Sequence, residues 1–176
     1  TAPAIALICR YLELRGAAKE IVGVFPADHV IGNDKAFLAA IDVAAKQAES
    51  GSIVTLGIKP SVPSTGFGYI ELEKITDPSK PTAVRALRFR EKPDLETAKE
   101  YLATGRFVWN AGIFFFRVQS MIEMFQRFAP DVWKPLVDLK ADLSNLEAVY
   151  AKLPSISFDY AIMEKTKKGV VLPSDF

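Results

Sequence analysis

The chain has 176 residues, 49% of them hydrophobic and 24% charged, enough to bury a sizeable core and too apolar for a disordered segment. Twenty-two Lys and Arg against 21 Asp and Glu leave a formal net charge of +1, so neither a nucleic-acid groove nor an anionic membrane surface is indicated and any anion site must be local. One cysteine, Cys9, excludes an intramolecular disulfide framework and suits a reducing, cytoplasmic compartment.

Thr1 followed by Ala2-Pro3 reads as a helix start, with a hydroxyl to cap free amides and a proline in the first turn. The apolar run Ala2–Leu7 is interrupted by Arg10 and Glu13 and is too short to span a bilayer, so a soluble protein is expected. The helix runs from Pro3 to Leu14 and stops at Gly16. Ile21–Phe25 is a short apolar strand ended by Pro26. Asn33 or Asp34 caps the next helix, which places Phe37, Leu38, Ile41, Ala45 and Ala48 on one face. Gly51 ends it, and Ile53–Ile58 is a buried strand. Helix and strand in alternation predict an α/β layer fold. A loop from Lys59 to Gly66 leads into the strand Phe67–Leu72, and turn residues from Asp77 to Pro81 separate it from Val84–Glu91. There Leu87 and Phe89 alternate with Arg88 and Arg90, a strand with one wet face. A helix with Leu95, Ala98 and Leu102 inward ends at Gly105. Phe107–Phe116 is the most apolar stretch, and the remainder to Lys152 reads mainly as helix, with Met121, Phe125 and Phe128 as one stripe and breaks at Pro130 and Pro135. Ser157–Lys165 is a further short helix and Gly169–Leu172 a last strand. One domain is expected.

Five short segments can carry chemistry. Asp28, just past the carboxyl end of a buried strand, stands where open α/β sheets place ligands and can hold Mg²⁺; a helix or turn cap is the alternative. The only histidine, His29, excludes a His-rich zinc site. By strand parity Glu91 shares a face with Leu87 and Phe89, so a carboxylate ends an inward row and needs a partner such as a sugar hydroxyl; beside it Lys92 is a point charge suited to a phosphate. The alternative is a solvated Glu-Lys pair at a strand end. Asn110, inside the apolar run, must be hydrogen-bonded to backbone or ligand, and Gly112 permits close approach or a bulge. The glycines of Thr65-Gly66-Phe67-Gly68-Tyr69 could turn backbone amides toward a sugar or phosphate. Asp159, in the first turn of the last helix, is equally served by a favourable helix dipole.

In order along the chain, Val24-Phe25-Pro26-Ala27-Asp28-His29, Gly57-Ile58-Lys59-Pro60 with Thr65–Ile70, Phe89-Arg90-Glu91-Lys92-Pro93, Trp109–Phe114 and Phe158–Lys165 resemble the mannose-1-phosphate guanylyltransferase (GDP-mannose pyrophosphorylase) branch of the sugar nucleotidyltransferase family over essentially the whole chain. The resemblance implies a Rossmann-like, mostly parallel mixed sheet with helices on both faces, in a single domain. It implies attack of mannose 1-phosphate on the α-phosphorus of GTP, assisted by Mg²⁺ or another hard divalent cation. Asp28 then corresponds to a metal carboxylate, Lys92 to the group that meets the sugar phosphate, and Gly68, Glu91 and Asn110 to positions that hold the mannose hydroxyls. Asp159 lines the sugar side, and Thr1 and Ala2 lie near the nucleotide base. The family's glycine-rich nucleotide loop does not precede Thr1, and its second metal carboxylate does not follow the segment ending at Phe176. The resemblance therefore predicts a fold incomplete at both ends, low or no activity for this chain, and a homo-oligomer formed through an uncovered sheet edge. The rival expectations are another hexose 1-phosphate or base, and a non-catalytic sugar-phosphate-binding module.

Overall fold

The computed structural model describes residues 1–77 and 82–176. The Pro78–Pro81 part of the expected turn lies outside the described residues. The described residues form two compact units, one made of Thr1–Val22 with Arg117–Thr166, the other of Gly23–Phe116 with Lys167–Phe176.

The first unit is helical. Helix α1 (Ala2–Leu14) buries Ala2, Pro3, Ile5, Ala6 and Cys9. Thr1 occupies its N-cap position but makes no side-chain cap bond there; its Oγ1 instead accepts the Phe158 N–H at 2.9 Å. The helical stretch expected up to Lys152 comprises α4 (Val118–Phe128), α5 (Pro130–Leu136) and α6 (Leu146–Tyr150), numbered after the two helices of the other unit; the expected break at Pro130 is present, whereas Pro135 lies inside α5. Pro130 cannot continue α4 but suits the first turn of α5, so the break falls where the ring removes a donor. Helix α4 buries Met121, Ile122, Met124 and Phe125, with Phe125 stacked on Trp133 of α5 at a centroid distance of 6.4 Å. The helix expected over Ser157–Lys165 is a π turn, Asp159–Met163, in which Glu164 N–H donates to Asp159 O, five residues back, at 3.0 Å.

The second unit carries the strands: β1 (Ile21–Val24, which begins in the first unit), β2 (Ile53–Ile58), β3 (Tyr69–Leu72), β4 (Val84–Arg90), β5 (Phe107–Arg117) and β6 (Gly169–Ser174), with helices α2 (Asp34–Ala48) and α3 (Leu95–Thr104). They order as β1-β5-β2-β6-β4-β3, and β3 also pairs with β5, so five of the six close into a ring. The sheet is mixed, as expected, but it closes on itself and is not mostly parallel. β2 and β6 are parallel, whereas β2–β5, β3–β4, β3–β5 and β4–β6 are antiparallel. Apolar runs mark buried strands, but direction depends on which strand each meets, and the 11-residue β5 reaches two neighbours that run against it.

The ring has a packed interior of Ile70, Leu72, Val84, Val108 and Val171, with Ala86 and Phe89 against it. At Gly57 on β2 a Cβ would stand 2.5 Å from Val108 Cγ2 and 2.7 Å from Val171 Cγ1, so backbone alone fits there. The alternate residues of β3 and β5, Tyr69 and Phe107, pack outward on Ala98 and Tyr101 of α3. Asn33, not Asp34, caps α2, accepting the Ala36 N–H at 3.1 Å. On α2 the buried row is Ala40, Ala44 and Ala48, and Leu38 is exposed rather than inward. Strand β1 ends at Val24 and Phe25 is exposed, although its ring meets Phe37 and Phe115 edge-on.

Candidate active site

Two irregularities set the geometry of the strand ends. On β4, Glu71 pairs with Arg88 and Leu72 with Ala86, so Leu87 is an extra, exposed residue. The parity that put Leu87 on the row of Glu91 therefore fails; the bulge turns Ala86 and Phe89 to the interior and keeps Phe89 and Glu91 together. On β5, Gly57↔Asn110 and Thr55↔Phe114 are successive partners, four residues of β5 against two of β2. The extra residues are taken up around Gly112, whose φ of +69° lies in the left-handed region.

These bulges bring three of the expected site residues to one point. Asn110 N–H donates to Gly68 O at 2.8 Å, across from each other at the junction of β3 and β5. A Cβ added to Gly68 would meet Glu91 Oε2 at 2.6 Å, Phe89 Cζ at 3.0 Å and Asn110 Cβ at 3.5 Å. Glu91 is largely buried, its side chain 14% exposed, at the end of β4. The Asn110 amide is fixed at its oxygen, which accepts the Gly112 N–H at 3.1 Å and faces the Thr55 hydroxyl at 2.9 Å. A carboxylate oxygen, an oriented amide and a bare glycine thus meet at one point.

Lys92 follows Glu91 with φ +43°, an uncommon conformation for a residue with a side chain. Its Nζ is 4.0 Å from Glu91 Oε1 and its side chain is 62% exposed, so the two form an ion pair without a hydrogen bond, open to solvent. Asp28 is exposed on the turn after β1. That turn lies against β5: a Cβ at Gly112 would be 3.4 Å from Pro26 Cγ. Among the described residues no three His, Cys, Asp or Glu side chains cluster as metal ligands. A lone exposed carboxylate still fits Mg²⁺, which usually keeps waters and takes one or two carboxylates together with substrate phosphates.

The remaining expected site residues belong to the helical unit and group there. Thr1 bonds the amide of Phe158, the residue before Asp159, and Ala2 is fully buried with its N–H donated to Ile156 O at 3.1 Å. Ala2 therefore has no polar group to offer a ligand, while Asp159 opens the π turn. The residue that sequence reasoning missed is Thr55. Its signal was a single hydroxyl in the buried run Ile53-Val54-Thr55-Leu56, where β-branching disguises it as an ordinary strand residue.

Residues 1–150 match the family described as Nucleotidyl transferase. The chain belongs to that family. This nucleotidyl transferase chain is 44% identical to the xanthan biosynthesis protein XanB of Xanthomonas campestris pv. campestris and 38% identical to a mannose-1-phosphate guanylyltransferase of Escherichia coli, in each case over 99% of its own length and 38% of the relative's. It shares its fold with a solved structure described as mannose-1-phosphate geranyltransferase from Thermus thermophilus, with a TM-score of 0.88 and 38% identity over 100% of this chain and 50% of that one. A second, described as mannose-6-phosphate isomerase from Helicobacter pylori, matches with a TM-score of 0.82 and 29% identity over 99% of this chain and 68% of the other. The nucleotidyl transferase chain thus spans about 38% of the length of the curated relatives it matches. Among the described residues no helix is long and apolar enough to cross a membrane.

Proposed function

We propose that the hollow at Gly68, Glu91 and Asn110 holds the hexose of mannose 1-phosphate, in a site that makes GDP-mannose and pyrophosphate from that sugar phosphate and GTP. The observation that carries the reading is the meeting of those three residues at one point. A hexose needs acceptors for its hydroxyl protons and donors for its hydroxyl oxygens, which Glu91 and Asn110 can supply, while Gly68 leaves space for the Glu91 carboxylate beside them. The names of the relatives support the choice of sugar, since a mannose phosphate recurs among them.

The chemistry asks little more of the chain than position and charge. A phosphate monoester has a second pKa of about 6, so the attacking oxygen is already ionised at neutral pH and no general base is required. Lys92, beside the hollow, neutralises the sugar phosphate and aligns it for in-line attack. Asp28 would hold Mg²⁺ or another hard divalent cation, which when bound offsets the charge of the nucleotide phosphates. We read the chain as part of one nucleotidyltransferase domain working in the cytoplasm.

Calorimetric titration with mannose 1-phosphate, for the unsubstituted chain and Gly68→Ala, tests the reading. The added methyl must displace the Glu91 carboxylate, and affinity is expected to fall at least about tenfold, the loss of one charge-assisted hydrogen bond. Equal binding by both, or equal affinity for inorganic phosphate and for the sugar phosphate, would remove the hexose from the hollow. With GTP and Mg²⁺ present, release of pyrophosphate that depends on mannose 1-phosphate rather than glucose 1-phosphate completes the assignment.

A further inference from the structure

Thr55 is 1% exposed, in a strand whose neighbours Val54 and Leu56 are fully buried. Valine would fill this place with the same shape and strand preference, so the hydroxyl is explained by its bonds rather than by packing. It lies 2.9 Å from Asn110 Oδ1 and 3.0 Å from Ile113 O, and its one proton serves both acceptors. Asn110 and Ile113 bracket the extra residues of β5, so the hydroxyl reaches both ends of the bulge, where the regular ladder between β2 and β5 is interrupted. The orientation of the amide follows. Gly112 N–H can only donate, so the Asn110 atom 3.1 Å away is the oxygen, and Thr55 donates to the same atom. Both bonds hold the amide at its oxygen.

We infer that Thr55 is a positioning residue: by stapling the β5 bulge it fixes the orientation of the Asn110 amide and, through it, the hold of Asn110 on the sugar. The inference rests on the sugar-phosphate reading of the hollow. The Asn110 side-chain amide, followed by ¹⁵N–¹H NMR, reports the staple without a ligand, and calorimetry with mannose 1-phosphate reports its consequence. In Thr55→Val the amide resonances are expected to move and their hydrogens to exchange faster, with affinity for mannose 1-phosphate lowered about tenfold, the scale of one lost buried hydrogen bond. Thr55→Ser keeps the hydroxyl and is expected to keep the amide signals and the affinity within about twofold of the unsubstituted chain. Thr55→Ala replaces the valine variant should the latter fail to fold. An amide unmoved in Thr55→Val overturns the inference, as does a serine variant as weak as the valine one, which would assign Thr55 to packing. If the unsubstituted chain binds no mannose 1-phosphate, the reading of the hollow fails, and the amide signals still decide for or against the staple.

Discussion

At Lys92 backbone and side chain make opposite demands. A left-handed φ of +43° is unfavourable for most residues carrying a Cβ, yet an Asn or Gly, which tolerate it, would have no ammonium group to present. Relief of that strain and loss of the charge can be separated. Lys92→Gly is expected to stabilise the chain by about 0.5–1 kcal/mol in urea unfolding, whereas Lys92→Ala, which keeps the Cβ, leaves stability nearly unchanged. Both should weaken mannose 1-phosphate binding alike, because both lose the cation. A glycine variant less stable than the alanine one would show that the left-handed turn is not strained. The same contrast shows which residues the sequence reveals. Asn110 stood out as an amide in an apolar run, and Glu91 as a carboxylate at the end of one, since a buried polar group must have a partner. Thr55 and the φ of Lys92 left no such mark, because a threonine belongs in any strand and a backbone angle is a property of the turn.

At the scale of elements, helix α3 shows how a site-bearing strand is handed to the next element. Pro93 cannot donate, and Asp94 immediately caps the helix by accepting the Thr97 N–H at 2.9 Å. That bond, from the backbone amide first of all, holds the Asp94 carboxyl below its ordinary value of 3.8. The sign follows from linkage. A carboxyl whose folded pKa is lower than its unfolded one contributes stability above the unfolded value and loses it as pH falls through the folded one. Asp94→Asn keeps a competent cap without a titrating group. Urea unfolding followed from neutral pH to below pH 3.8 should therefore show the unsubstituted chain losing stability relative to Asp94→Asn as acid protonates the cap. A constant difference across that range would mean that Asp94 does not act as a charged cap. Caps of this kind were legible, as were the apolar strands and the glycine that closes α3 at φ +65°. The ring was not, because closure depends on pairings remote in sequence, and neither were the two bulges. Parity assigned Leu87 inward, and only its pairing partners, Arg88 with Glu71 and Ala86 with Leu72, reveal the extra residue.

For the whole molecule, the near cancellation of 22 basic by 21 acidic residues means that no broad field draws a phosphorylated ligand to the hollow. The attraction must come from groups within a few ångströms, and Lys92 is tempered by Glu91 at 4.0 Å. A solvent-exposed cation of this kind contributes on the order of 1–4 kcal/mol at contact. Salt screens part of it, with a Debye length of about 10 Å at about 0.1 M. Affinity for mannose 1-phosphate is therefore expected to fall only about threefold between about 0.02 M and about 0.2 M salt, and to become nearly flat over the same range in Lys92→Ala. A fall of more than about tenfold would indicate several distributed cations, since each additional charge in contact steepens the dependence. A steep dependence that survived in Lys92→Ala would move the phosphate away from this residue altogether. The salt titration thus distinguishes a phosphate site built on the one local charge of Lys92 from a generally basic surface.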